Sequence, residues 1–346
     1  MVGELPEKLL AVRSSGPGGN VDYSVLVPFL PRRPEQVLPF AALVEWTGAA
    51  RLWQGQSLLM EPFQTFSAVA GAGFRVPTGL GVTLMPLRHP FEAAHKVKTL
   101  AMATGKDVVA GFGPGAKTFQ QSLLGAPYRS QLTAVREYMT VVRDLLSGEP
   151  VDFDGEYYSC HAGMGPVMSP PVRLGLGVLR PGMARLAGEV ADVAVTWLTP
   201  AAYLDGVVRP AMREGADDAG RSVPRITAMV PVALERSDRD VSDFVLASNA
   251  AHMQAPHYLD MLGKAGIDFS ELDPRAAARR MAESGAFLFG NIDQVVKRLD
   301  EYRQAGVDEI VLNLTGVCRL YGANAAMDDL KQILAAVGAD RRDSGE

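Results

Sequence analysis

The stretch VPTGLGVTLMPLRHP, Val76–Pro90, decides how the chain folds. Its first half reads as a strand over Val76–Val82 that ends in Gly-Leu-Gly-Val. Pro86 and the run Arg88-His89-Pro90 then make a shaped loop rather than a plain turn. Pro90 presets φ for a helix over Phe91–Thr104, whose apolar residues recur at helical spacing. Strand, loop and helix make one βα unit, with the loop placed above the C-terminal end of its strand.

The same plan repeats on both sides. Further strands are predicted at Tyr23–Val27, Ala50–Trp53, Asp107–Phe112, Val172–Leu176, Asp192–Thr196, Arg225–Leu234 and Glu309–Leu314. Helices are predicted between them at Glu35–Trp46, Phe63–Gly71, Gln131–Leu146, Met183–Glu189, Ala202–Ala219 and Ile292–Gln304. Asn291 can cap the last of these and Gly306 can stop it. Eight strand signals alternating with helices place the chain in the α/β class, as a (β/α)8 TIM barrel rather than a six-stranded open sheet.

Two stretches exceed a minimal barrel: 148–171, extended with turns, and an insertion at about 236–285, mostly helical in pattern. Insertions at the C-terminal face of a barrel usually build the substrate pocket, although bracing or a dimer surface would use the same residues. The domain reading is a flexible tail at 1–20, a single barrel domain at 21–338 and a second tail at 339–346.

Composition narrows the function. The 346 residues carry a net charge of −5, against a nucleic-acid partner, which needs clustered Lys and Arg. No apolar run approaches the roughly 20 residues that span a bilayer, and the N-terminus has no signal-peptide pattern, so a cytoplasmic protein is expected. Cys160 and Cys318 stand apart from any CxxC or Cys/His cluster and read as free thiols. No HExxH, other three-ligand spacing or Ser-His-Asp context is present, so no metal is expected.

Glycines gather after several strands, in GFGPGAK (Gly111–Lys117) and GLGVLRPGMARLAGE (Gly175–Glu189). In the second, Pro181 fits the first turn of a helix, leaving Leu179, Arg180 and Gly182 around a site for an anion such as a phosphate. Tight packing is the competing explanation for such glycines. Neither run matches GxGxxG, so direct binding of NAD(P)H is not expected.

Five runs in order resemble the bacterial-luciferase-like family of F420- or FMN-dependent oxidoreductases. VPTGLGVTLMPLRHP looks like its third strand (LGTGV, a short loop, then RHP), and GFGPGAK is similar to its fourth-strand loop. LLSGEPVDFDGEYY, RLGLGVLRPGMARLAGEVADV and FLFGNIDQVVKRLDEYRQAGVDEIVL resemble three later segments, and the likeness covers about residues 23–335. It implies a non-prolyl cis peptide at Gly81–Val82, forming a bulge behind a cofactor ring. It also implies Leu84 beside that ring, Pro114 and Gly115 near the cofactor's side arm, and Val178, Leu179, Pro181 and Gly182 around its phosphate. Relatives are commonly homodimers.

Departures from the family pattern bear on chemistry. Where many F420-dependent relatives carry Asp-His after the second strand, this chain has Gln56 and Ser57, and Ala116 replaces an acidic residue of the fourth-strand loop. These losses remove the base that alcohol oxidation needs, while Gln56 can still hydrogen-bond a cofactor carbonyl or ring nitrogen. The remaining candidates for a proton donor are His161, in the loop after Tyr157-Tyr158, and His252, His257 and Tyr258 in the insertion. His89, at a helix start, reads as a cap.

The expected function is hydride transfer from reduced coenzyme F420 to an electrophilic C=C or C=N bond. The acceptor would be a small molecule or a modified peptide, such as a dehydroamino acid in natural-product biosynthesis. A monooxygenase using reduced FMN and oxygen, and a non-catalytic cofactor-binding protein, are the alternatives.

Overall fold

The computed structural model describes residues 21–269 and 271–340. Its strands are β1 (Asp22–Leu26), β2 (Leu52–Gln54), β3 (Thr78–Leu84), β4 (Val108–Gly113), β5 (Val151–Asp154), β6 (Ser159–Ala162), β7 (Val172–Gly177), β8 (Val193–Trp197), β9 (Arg225–Leu234), β10 (Leu288–Gly290) and β11 (Glu309–Asn313). Eight of them close a parallel ring in the order β1-β2-β3-β4-β7-β8-β9-β11, with β1 paired to β11. These are the eight strands read from the sequence, displaced by at most two residues at either end. The (β/α)8 barrel is therefore present.

Three strands lie outside the ring. β5 and β6 form an antiparallel hairpin within the 148–171 stretch. β10 pairs with the last three residues of β9, above the barrel. The insertion between β9 and β10 holds helices at Val241–Asn249, Pro256–Lys264 and Pro274–Glu283.

Helix ends follow the sequence chemistry. Asn291 Oδ1 accepts from Gln294 N at 3.0 Å while Gln294 Oε1 accepts from Asn291 N at 2.9 Å, and Gly306 follows in the left-handed region at φ 80°. The helix expected over Ala202–Ala219 is instead three segments, with a π-turn at Leu204–Val208. Pro210 has no N–H for the carbonyl four residues back, which favours a local widening there. Helices at Lys117–Leu124 and Thr315–Ala336 were not expected, and Gly322 at φ 86° interrupts the second. The expected tail at 1–20 lies outside the described residues, as does the tail at 339–346 apart from its start. Ala339 is buried there, and its carbonyl accepts from Gly48 N at 2.9 Å.

Two apolar clusters result from the alternation of each strand. The larger lies between strands and helices; the smaller fills the barrel with Leu26, Trp53, Val109, Val193, Val195, Met229 and Val311, and with Val82 and Trp197 at its upper edge. Below it is a polar floor. Glu309 Oε1 accepts from Trp53 Nε1 at 2.7 Å and Ser24 Oγ at 2.6 Å, Glu309 Oε2 accepts from Thr227 Oγ1 at 3.4 Å, and Arg51 Nε lies 3.7 Å away. Arg51 is fixed in turn by Asp107 at 2.7 Å. Arg51 and Trp53 are thus framework residues that brace the barrel from within.

Candidate functional site

The C-terminal mouth of the barrel has two unlike halves. Over β2, β3, β4 and β7 its inner face is nearly all glycine: Gly55, Gly81, Gly111, Gly113, Gly175 and Gly177. The peptide Gly81–Val82 is cis, and the register of β3 on β4 shifts between Leu80 and Thr83. The irregularity carries Val82 inward over β4 and β7. A Cβ on Gly113 would meet Val82 Cγ2 at 2.9 Å, and one on Gly177 would meet Val82 Cγ1 at 3.4 Å. These glycines are small because Val82 lies across them, so close approach accounts for them rather than anion binding. Gly81, Val82 and Gly177 stay partly open to solvent, leaving a shallow cradle with one apolar side chain at its base. A flat tricyclic ring of the flavin type suits that shape.

Around the cradle the expected residues converge. Gly115 takes φ 71°, which favours glycine, and a Cβ there would lie 3.7 Å from Leu84 Cδ2, so the third- and fourth-strand loops touch. Gln120 holds the second loop: its Nε2 donates to the carbonyls of Pro114 at 2.9 Å and Gly115 at 3.0 Å. Gln120 was missed because its helix was not foreseen. Gln56 is tied to the bulge, its N–H donating to Val82 O at 3.1 Å and its Oε1 accepting from Thr83 Oγ1 at 3.1 Å. Arg88 donates to the same Thr83 hydroxyl and pairs with Glu61 at 3.0 Å. Gln56 Nε2 donates to Ser57 O at 2.9 Å and keeps a second N–H for a ligand.

The loop expected to take an anion follows β7. Arg180 stands at the N-cap of the helix Pro181–Val190, and Pro181 and Gly182 are exposed at its first turn, where the Gly182 N–H has no partner within the helix while those of Met183 and Ala184 donate to Arg180 O at 3.1 and 3.0 Å. Leu179 is half-buried beside them. Val178 is a correction to the phosphate set: it is buried, and its N–H donates to Val195 O at 2.8 Å, so it anchors the loop and does not offer itself to an anion.

The other half of the mouth is covered by the insertion. Trp197, at the end of β8, stacks on His252 with ring centroids 5.6 Å apart and planes 28° apart. Tyr258 meets His252 edge-on at 4.9 Å, and His257 lies 4.8 Å from Tyr258. Arg180 reaches Asp260 of the same insertion at 3.7 Å, joining this cluster to the anion loop. His257 and Tyr258 are therefore at the mouth, together with His252. Burial pushes the Tyr258 hydroxyl up and, with Arg180 nearby, the His257 imidazole down.

His161 is the second correction. It sits on the outer face of the β5–β6 hairpin, its Nδ1 2.6 Å from Asp152 and its Nε2 3.2 Å from Asp154, both exposed. The alternate residues Phe153 and Cys160 pack inward, so His161 points to solvent and cannot serve the barrel mouth. The two carboxylates raise its pKa. His89 caps its helix, Nδ1 accepting from Phe91 N at 3.2 Å.

His252 gives a pH prediction. Burial, then His257 and Arg319, pushes its imidazole down from 6.5 to about 4. The unfolded chain binds a proton there that the folded chain refuses, so this group's stability is present above about pH 6.5 and is lost as pH falls toward 4. Protection factors, corrected for the intrinsic rate at each pH, are expected to fall across residues 249–262 over that window while the barrel strands keep theirs. Uniform protection from pH 7 to pH 4 would contradict it.

Comparison with known proteins agrees with the geometry. The luciferase-like monooxygenase family matches residues 13–309. A 5,10-methylenetetrahydromethanopterin reductase of Methanopyrus kandleri is 27% identical over 274 residues, covering 69% of this chain and 76% of that protein. An F420-dependent glucose-6-phosphate dehydrogenase of Nakamurella multipartita is 26% identical over 260 residues, covering 72% and 75%. Among solved structures, an F420-dependent secondary alcohol dehydrogenase with an F420-acetone adduct superposes at TM-score 0.70 and 19% identity, over 94% of this chain and all of that one. The EDTA monooxygenase of Chelativorans sp. BNC1 superposes at TM-score 0.72 and 15% identity, over 92% and 93%. With most of its length matched and a cis bulge set in a glycine-lined barrel mouth, the chain belongs to the luciferase-like monooxygenase family.

Proposed function

We propose that the chain is an F420-dependent reductase that delivers hydride to an electrophilic C=C or C=N bond of a small molecule or modified peptide, acting as a cytoplasmic homodimer. The observation that carries this reading is the cradle: glycines on β2, β3, β4 and β7 around the Val82 bulge, with Gln56, Ser57 and Ala116 supplying no acid or base beside it. The F420-dependent relatives support the choice of cofactor.

Reduced F420, when bound, supplies the hydride. Gly81, Val82 and Leu84 would bear its ring, Gln56 would donate one N–H, Pro114 and Gly115 would border its side arm, and Leu179, Arg180, Pro181 and Gly182 would receive its phosphate. The insertion excludes water from the far side of the mouth and brings His252, His257 and Tyr258 there. Burial keeps the Tyr258 hydroxyl protonated, able to hydrogen-bond the acceptor, and lowers the His257 pKa so that its neutral ring is favoured.

Titration with F420 and FMN, read by fluorescence, tests the cofactor, and single-turnover oxidation of each reduced form with and without oxygen tests the reaction. Tight F420 binding and oxygen-independent turnover on an activated alkene or imine is the expected result. Rapid oxygen-dependent consumption of reduced FMN with no F420 binding would make the protein a monooxygenase. Binding without turnover of any acceptor would leave a cofactor carrier.

A further inference from the structure

The insertion-covered half of the mouth holds polar atoms with no protein partner. Trp197 Nε1 and His252 Nδ1, one polar atom from each ring of the stacked pair, are both shielded from solvent and unbonded. Asn313 Nδ2, at the inner end of β11, is unbonded too, on a residue only 1% exposed whose Oδ1 already accepts from Thr315 N at 3.0 Å. β8 and β11 flank β9, with Trp197 opposite Met229 and Asn313 opposite Pro231, so both donors sit at the top of neighbouring ladders. Buried donors without acceptors are few in folded proteins, and a group that satisfies them gains what their isolation forfeits.

The charges near this wall are paired or face solvent. Arg180 faces Asp260, which also pairs with Lys264 at 2.9 Å, and Arg319 donates to the carbonyl of Ala247. Trp197, His252, Tyr258 and Asn313 present flat rings and N–H donors without a free counter-ion. Burying a carboxylate or an ammonium against them strips its water and leaves it without a buried counter-ion.

We propose that Trp197, His252 and Asn313 form the acceptor-binding wall and select an uncharged substrate, gripping its carbonyl or imine through Trp197 Nε1–H and Asn313 Nδ2–H while the ring stack parts to admit it. This rests on the reductase reading and adds the substrate's charge class and the residues that read it.

The protein has three tryptophans, Trp46, Trp53 and Trp197, so its indole N–H groups give three resolvable signals in a 15N–1H NMR spectrum, and Trp197→Phe assigns the relevant one. The probes are 2-cyclohexen-1-one, 1-cyclohexene-1-carboxylate and cyclohexylammonium, titrated into the full chain with oxidised F420 present and absent. The ketone is expected to shift the Trp197 signal saturably and to bind about fivefold more weakly to Trp197→Phe and to Asn313→Ala, while the two ions bind at least tenfold more weakly than the ketone. Equal binding of an ion, or a Trp197 signal that the ketone leaves in place, overturns the proposal. If Trp197→Phe fails to fold, assignment of the indole signals of the unsubstituted protein through their NOEs lets its spectrum decide instead. F420 binding, read by its own fluorescence in the same samples, separates the outcomes: F420 bound with an unmoved Trp197 signal sinks this inference alone, and a moved signal without F420 binding sinks the cofactor assignment alone.

Discussion

Replacing Gly182 with aspartate is expected to weaken binding of F420 by about 100-fold while leaving folding stability nearly unchanged. Gly182 is exposed in the first turn of the helix Pro181–Val190, and a Cβ there meets only Leu132 Cδ1, at 3.7 Å. The residue therefore has room for a side chain, and an acidic group in a first turn is compatible with the helix dipole. A bound phosphate would meet that carboxylate directly. At about 6 Å and an effective dielectric constant of about 20, the repulsion is about 2.8 kcal/mol, which sets the hundredfold figure. Gly182→Asn, similar in shape and uncharged, should bind within about threefold of the unsubstituted protein. Fluorescence titration of both variants makes the check. Unchanged affinity in the aspartate variant would move the phosphate site elsewhere.

The largest loss of stability is expected from Glu309→Ala, about 3–5 kcal/mol in urea unfolding. The carboxylate is 6% exposed and serves Trp53, Ser24 and Thr227 while lying 3.7 Å from Arg51 Nε. Removing it strands a buried guanidinium nitrogen, an indole N–H and two hydroxyls at once. Glu309→Gln keeps an acceptor for Trp53 and should lose less than half as much. Trp53 is also the support beneath β3, since its indole covers Gly79, two residues before the cis bulge. A loss below about 1 kcal/mol for Glu309→Ala would show that the floor bears little of the fold.

The sequence revealed most where one residue type has one physical use. Strands rich in Val and Ile stood out by composition, the glycines of β3 and β4 marked a close approach, and Pro181 marked a helix start. The bulge at Gly81–Val82 came from resemblance, and the structure bears it out. What stayed hidden depends on partners far away in the chain. His161 looked available until β5 and β6 paired and placed it between two aspartates. Val178 looked like part of the phosphate loop until its N–H was seen to join the ladder to β8. Gln120 and Thr83 gave no signal, because an ordinary polar residue becomes a site residue only through the loop it holds. Trp197 lay one position beyond the strand expected at Asp192–Thr196, and its importance appears only when the insertion lays His252 on it.

The seam between β9 and β10 has a consequence for how such a protein can change. β9 runs three residues beyond its pairing with β11, and there Val232, Ala233 and Leu234 pair with Leu288, Phe289 and Gly290, with Glu235 N donating to Gly290 O at 2.8 Å. The chain therefore leaves the barrel and comes back at adjacent points, so the insertion between 236 and 285 is clipped at its base by one short ladder. Closing a loop costs only about 0.6 kcal/mol more for each doubling of its length. A segment clipped at both ends to the same spot can be lengthened, trimmed or exchanged as a cassette without re-registering any barrel strand. Changes in what the enzyme acts on can then be made in the cassette without touching the glycine cradle across the mouth.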